Sequence, residues 1–161
     1  MPNDLAYELV NLLLERREKI AVAESCTGGR VLALLTEIPG SSAVLWGGVV
    51  SYSNESKIAL LGVEADLVRR YGAVSPEVAK TMAYCMQKKS GVDWAAAVTG
   101  IAGPGGGSAV KPVGTVWIGC YDSSGNNSVQ FRHIDGDRKL VQRRAADAVL
   151  KMLLGMVDNG Q

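Results

Sequence analysis

The sequence predicts a three-layer α/β/α sandwich with a mixed, mostly parallel central sheet of about five strands, one of them an antiparallel hairpin strand. Three observations carry this expectation. Short, unbroken apolar runs such as Ile20-Ala21-Val22-Ala23 and Trp94-Ala95-Ala96-Ala97-Val98 read as strands covered on both faces. Amphipathic helical stretches alternate with them, the pattern of an open α/β sheet. Near the end, two apolar-alternating runs flank Asp122-Ser123-Ser124-Gly125-Asn126-Asn127, a turn-rich hairpin signal.

Taken in order, Leu5, Leu9, Leu12 and Leu13 form one helical stripe that ends in charged Glu15 to Lys19. The strand at Ile20 stops at Glu24-Ser25-Cys26-Thr27-Gly28-Gly29, and Val31, Leu32, Leu34 and Leu35 resume a helix until Pro39-Gly40. Val44 to Tyr52 is a second strand, in which Gly47-Gly48 suggests a bulge or close backbone approach. Short helices follow at Ser53 to Leu60 and Glu64 to Tyr71. Ser75-Pro76-Glu77 combines an N-cap hydroxyl, a proline at N1 and an early acid, and Val78, Met82, Cys85 and Met86 supply the buried stripe behind it. The third apolar strand runs into the glycine-rich Thr99 to Gly107. Val113 to Tyr121 and Val129 to Ile134 form the hairpin, and a last helix from near Asp137 buries Val141, Ala145, Ala148, Val149 and Met152.

A chain of 161 residues, 47% hydrophobic and 20% charged, is one domain's worth of ordinary globular protein, so the expected unit is a single domain over 1–161. Seventeen basic against sixteen acidic residues give a net charge of +1. A protein that neutralises many phosphates carries a basic excess, so nucleic acid is not an expected partner. One histidine, His133, and three scattered cysteines, Cys26, Cys85 and Cys120, supply neither zinc-ligand spacing nor a disulfide framework. Met1-Pro2-Asn3-Asp4 lacks the basic region of an export signal, and no apolar run approaches the ~20 residues of a membrane span. A cytoplasmic location away from any membrane, with reduced thiols, is expected.

Ligands of open α/β sheets bind outside the carboxyl ends of the parallel strands, here the loops after Ala23 and Val98 and the strand end at Tyr52. The first loop, small and hydroxyl-rich, reads equally as an anion site at a helix N-terminus or as ordinary capping by Ser25 or Thr27. The third loop has five glycines between Gly100 and Gly107 but matches neither the dinucleotide fingerprint nor the phosphate loop. With His133 remote in sequence, lysine is the alternative base for a hydroxyl nucleophile. At an ordinary pKa of ~10.4, half-neutral Lys57 at pH 7 requires a depression of ~3.4 units, or ~4.6 kcal/mol. Burial or a nearby cation supplies such a shift. Tyr52, five positions earlier at a strand end, is placed to relay a proton.

AESCTGG at 23–29, PGSS at 39–42, GGVVSYSNESK at 47–57, LGV at 61–63, GAVSPEVA at 72–79, AVTGIAGPGGG at 97–107 and KPVGTV at 111–116 together resemble the C-terminal domain of the competence/damage-inducible CinA proteins. That family includes stand-alone nicotinamide-nucleotide amidases, which convert nicotinamide mononucleotide to nicotinate mononucleotide and ammonia in pyridine-nucleotide salvage. The larger members add an N-terminal molybdopterin-binding-like domain, for which 161 residues leave no room, so the stand-alone form is expected. The resemblance implies a metal-free amidase needing no cofactor, a nucleotide substrate and self-association, a dimer being favoured. It places Ser42, Tyr52 and Lys57 as the catalytic serine, tyrosine and lysine, with Ser42 attacking the carboxamide and Lys57 removing its proton through Tyr52. Ser25 and Thr99 fall on further active-site hydroxyls. Thr27, Gly28, Gly29 and Arg138 are candidate phosphate anchors, and Gly100 and Gly103 belong to the loop offering an oxyanion site. Ser25, at a strand-to-helix turn, stands as the rival nucleophile. Gly107-Ser108-Ala109-Val110 departs from the family's threonine-proline-glutamate stretch. The competing functions are a pyridine-nucleotide-binding or regulatory domain without turnover and a competence or DNA-damage factor, the latter at odds with the charge.

Overall fold

The computed structural model describes residues 3–160. Met1 and Pro2, part of the segment read against an export signal, and Gln161 lie outside the described residues. Five strands form one sheet in the order β2-β1-β3-β4-β5. β1 (Ile20–Glu24) runs parallel to both β2 (Leu45–Val50) and β3 (Trp94–Gly100). β4 (Thr115–Asp122) is antiparallel to β3 and to β5 (Asn127–His133), so β4 alone runs against the other four.

The two faces of the sheet are covered differently, and side-chain size decides how closely. One face takes Ile20, Val22, Trp94, Ala96, Val98, Val116 and Ile118 against α1 (Asp4–Arg16), α2 (Arg30–Thr36) and α6 (Arg138–Asn159). The other presents Ala21, Ala23, Ala95 and Ala97 to α4 (Ala65–Tyr71) and α5 (Pro76–Ser90). Its residues are small because α5 lies almost on the strands. A Cβ on Gly119 would stand 2.5 Å from the Ala79 carbonyl oxygen of α5. Neither backbone can yield locally, so Gly119→Ala should cost about 1–3 kcal/mol, read as a lower urea midpoint; an unchanged midpoint would show that α5 is free to lift.

Helix termini follow the local chemistry. Ser75 caps α5 by accepting from the Val78 N–H, with Pro76 at N1, and Asp137 caps α6 by accepting from the Leu140 N–H. Cys85, assigned to the buried stripe of α5, is only half-buried, and Ala79 and Ala83 complete that stripe. Ala148 of α6 is likewise intermediate.

The second strand differs most from expectation. Between Ile20↔Leu45 and Ala21↔Gly47 the register shifts, leaving Trp46 as the extra residue of a bulge beside Gly47 at φ 144°. Gly48 is a close approach, since a Cβ there would lie 2.3 Å from the Val22 carbonyl oxygen. β2 ends at Val50 and not Tyr52 because Ser51 makes the last cross-strand bond, N–H to the Glu24 carbonyl at 2.8 Å. Ser53 then caps the one-turn α3 (Asn54–Ser56), which runs into a π-helical turn, Lys57–Leu61. That departure leaves the carbonyls of Ser51 and Tyr52 open to a side chain.

No helix among the described residues is long and apolar enough to cross a membrane.

Candidate active site

β1 and β3 lie side by side where the strand order of the sheet reverses, and open α/β sheets hold ligands at the carboxyl ends of such strands. A cleft of about 260 Å³ opens there, lined by Ser25, Cys26, Tyr52, the glycine loop from Gly100 to Gly106, and Arg138. Pockets that enclose whole drug-sized ligands run ~300–1,000 Å³, so this one is sized for the reacting end of a ligand.

Lys57 is the largest fully buried side chain among the described residues, at 1% exposure. The π-helical turn, a device concentrated at functional sites, aims it inward. Its Nζ lies 2.9 Å from the Ser25 Oγ, 2.9 Å from the Ser51 carbonyl oxygen and 3.3 Å from that of Tyr52. Among the described residues no carboxylate pairs with it. Burial without a counter-charge lowers its pKa from 10.5. In the neutral amine, two N–H groups satisfy the two carbonyls and the lone pair is left for the Ser25 hydroxyl. This is the arrangement of a general base on its nucleophile.

Ser25 follows β1 directly, its N–H bonded to the Val98 carbonyl at 3.0 Å and its side chain almost wholly buried. Cys26, next to it, is no rival: burial pushes its thiol up to about 12, so it stays protonated at neutral pH.

The structure does not bring all of the expected site residues together. Ser42 is exposed, in the 3-10 turn Ser41–Ala43 that leads into the start of β2. Since Leu45 pairs with Ile20 and Val50 with Glu24, Ser42 lies at the amino end of the strands, and about 16 Å of strand separates it from the end bearing Ser25 and Lys57. Within one chain Lys57 cannot deprotonate it. The proton relay through Tyr52 is also absent: Lys57 meets Ser25 directly, and the Tyr52 hydroxyl accepts from the Arg138 Nη2 at 2.7 Å.

The anion site at the start of α2 is occupied from within. Gly29 and Leu32 donate their N–H groups, and Thr27 its hydroxyl, to the buried Glu24 carboxylate. Gly28 closes the turn at φ 60°, its N–H on the Ser25 carbonyl. The Thr27 hydroxyl and the N–H groups of Gly28 and Gly29, expected as phosphate anchors, are thus committed to bonds within the turn. Thr99 donates its hydroxyl to the Ala73 carbonyl at 2.8 Å and braces β3. Gly100 and Gly103 do line the cleft. Gly103, at φ 79° and packed on Val113, gives its carbonyl to the Arg138 Nη1 at 2.8 Å. Arg138 thus spans the cleft mouth from α6 to the glycine loop and Tyr52, with further N–H donors unspent. The N–H groups of Ala102, Gly103, Gly105 and Gly106 donate to no protein group among the described residues. His133 sits exposed at the end of β5, bonded to Asp135.

Sequence reasoning passed over Glu24 and the carbonyl of Ser51. The available signal was a carboxylate ending an otherwise apolar, doubly covered strand, where only a fully hydrogen-bonded group is tolerated.

A family model described as the CinA C-terminal domain matches residues 2–157. A CinA-like protein of Syntrophomonas wolfei is 49% identical over 98% of this chain, and one of Synechocystis sp. 52% identical over 80%. The chain spans only 38% and 30% of those two relatives' lengths. A competence/damage inducible protein of Agrobacterium tumefaciens superposes with a TM-score of 0.94 at 38% identity, covering 97% of this chain and 94% of that one. A competence damage-inducible protein A of Klebsiella pneumoniae also gives 0.94, at 32% identity and 98% coverage of both chains. On sequence and on fold alike, the chain belongs to the CinA C-terminal domain family.

Proposed function

We propose that the chain is an amidohydrolase that converts nicotinamide mononucleotide to nicotinate mononucleotide and ammonia, with Ser25 as nucleophile and Lys57 as its base. The observation that carries this reading is the buried Lys57 amine, 2.9 Å from the Ser25 hydroxyl with no carboxylate beside it. Burying a lysine in this way costs stability, and a binding module has no use for it.

In this reading Ser25 Oγ attacks the carboxamide carbon as its proton passes to Lys57 Nζ. The tetrahedral oxyanion is held by glycine-loop N–H groups that donate to no protein group among the described residues. Lys57 returns the proton to the departing nitrogen, the C–N bond breaks, and ammonia leaves an acyl-Ser25. Water then attacks the ester, giving its proton to Lys57, which restores the Ser25 hydroxyl as the carboxylic acid departs. Arg138, at the cleft mouth, holds the nucleotide's anionic end.

Incubating the purified protein with nicotinamide mononucleotide should release ammonia equally with and without a chelator. Added hydroxylamine should divert part of the product to the hydroxamate, as an acyl-enzyme requires. A folded protein that binds the nucleotide tightly and releases no ammonia would overturn the reading in favour of a sensor. Arg138→Ala should raise KM about 10–100-fold, the loss of a charged hydrogen bond, with kcat changed far less. An unaltered KM would remove Arg138 from the binding role.

A further inference from the structure

Glu24 lies immediately before Ser25, yet it does not line the cleft. Its side chain is wholly buried, and its carboxylate takes three donors: the Thr27 hydroxyl, the Gly29 N–H at 3.0 Å and the Leu32 N–H at 2.8 Å. Its backbone carbonyl takes the Ser51 N–H at 2.8 Å, with the Ser51 hydroxyl at 3.5 Å. Ser51 in turn offers its own carbonyl to Lys57 Nζ.

We propose that Glu24 is the positioning residue of the Ser25–Lys57 pair, its carboxylate fastening the turn that presents the serine and its carbonyl fastening the strand end that aims the lysine. The proposal rests on the reading of Ser25 and Lys57 as nucleophile and base. Simple capping of α2 does not account for the arrangement. A cap needs a side-chain oxygen on helix N–H groups, which a surface serine or asparagine provides without burying a charge. Here one of the three donors, Thr27, belongs to the turn between Ser25 and the helix, and the turn is closed by Gly28 on the Ser25 carbonyl. The bonds therefore run from Glu24 to both sides of the reacting pair. A misplacement of about 1 Å between such groups costs on the order of 10²-fold in rate.

The test uses a reaction that needs the pair and not the substrate. An alkyl fluorophosphonate phosphonylates an activated serine: the Ser25 oxygen bonds phosphorus, fluoride leaves, and the serine proton goes to Lys57. Site and rate of labelling are read by mass spectrometry on protein confirmed folded by circular dichroism. Glu24→Gln, which sets an amide N–H₂ against the donors of the turn, should slow Ser25 labelling about 10²-fold and lower kcat for nicotinamide mononucleotide by a similar factor, with KM within about threefold. Should Glu24→Gln not fold, Thr27→Ala carries the test, with an expected loss of about tenfold. Wild-type labelling rates in the folded variant, with only a lower melting temperature, would reduce Glu24 to a helix cap and overturn the proposal. A wild-type protein never labelled at Ser25 would overturn it too. Labelling of wild type without ammonia release would refute the amidase reading alone, and the variant labelling rates would still decide the role of Glu24.

Discussion

Ser25→Ala should abolish ammonia release, by at least about 10³-fold, while Ser42→Ala should leave turnover within about twofold of wild type. The first expectation follows from contact: the Ser25 hydroxyl is the one on which the buried Lys57 amine closes, at 2.9 Å, and it borders the cleft. The second follows from topology. Ser42 is exposed on a turn before β2, and Lys57 comes after it, with the whole strand between. Neither variant should disturb the fold, since Ser25 gives its backbone N–H, not its hydroxyl, to the β3 ladder, and Ser42 is a surface hydroxyl. Steady-state ammonia assays on both variants decide the matter. Normal turnover in Ser25→Ala, or its loss in Ser42→Ala, would overturn the assignment.

Lys57→Met should remove activity by about 10²–10⁴-fold, the usual worth of a general base, and should also change how stability depends on pH. Burial lowers the pKa of Lys57 in the folded protein below the 10.5 of the exposed side chain. Between those two values the unfolded chain binds more protons than the folded one, so stability rises with pH across that window. Below the folded value the ammonium is buried and the penalty is present in full. Methionine fills the same space and does not titrate. Urea midpoints of wild type should therefore climb as the pH rises towards 10.5, after the common acid and base drifts are subtracted, and those of Lys57→Met should lack that component. Methionine leaves the Ser51 and Tyr52 carbonyls without their donor, which offsets part of the gain at pH 7. Equal slopes in the two proteins would mean that Lys57 is charged in the fold and no base.

Much of the architecture was legible in local pattern. Apolar tetrapeptides and pentapeptides at Ile20 and Trp94 announced strands covered twice, and Ser75-Pro76-Glu77 announced the start of α5. The position of the cleft followed from strand direction alone. Lys57 stands out in a chain with a single histidine, and that histidine, exposed at the end of β5, is not among the residues that line the cleft.

Which hydroxyl meets Lys57 was not legible, for a physical reason. Ser25 and Ser42 are both small hydroxyls beside a strand and a glycine, and what separates them is which end of the parallel sheet each occupies, a property of register between β1 and β2. Likewise the hydroxyls and glycines after Glu24 carry the composition of an anion site, but a buried carboxylate from the same chain already takes their donors. Tyr52 lies at the right spacing for a relay, yet its ring turns to Arg138, a residue brought from far along the chain by α6. By itself the sequence determined the layers, the strand directions and the set of polar residues gathered at one end of the sheet, because these follow from hydrophobic period and turn chemistry. Only the tertiary structure decided which hydroxyl meets the buried amine, because that depends on side chains 32 positions apart approaching to 2.9 Å.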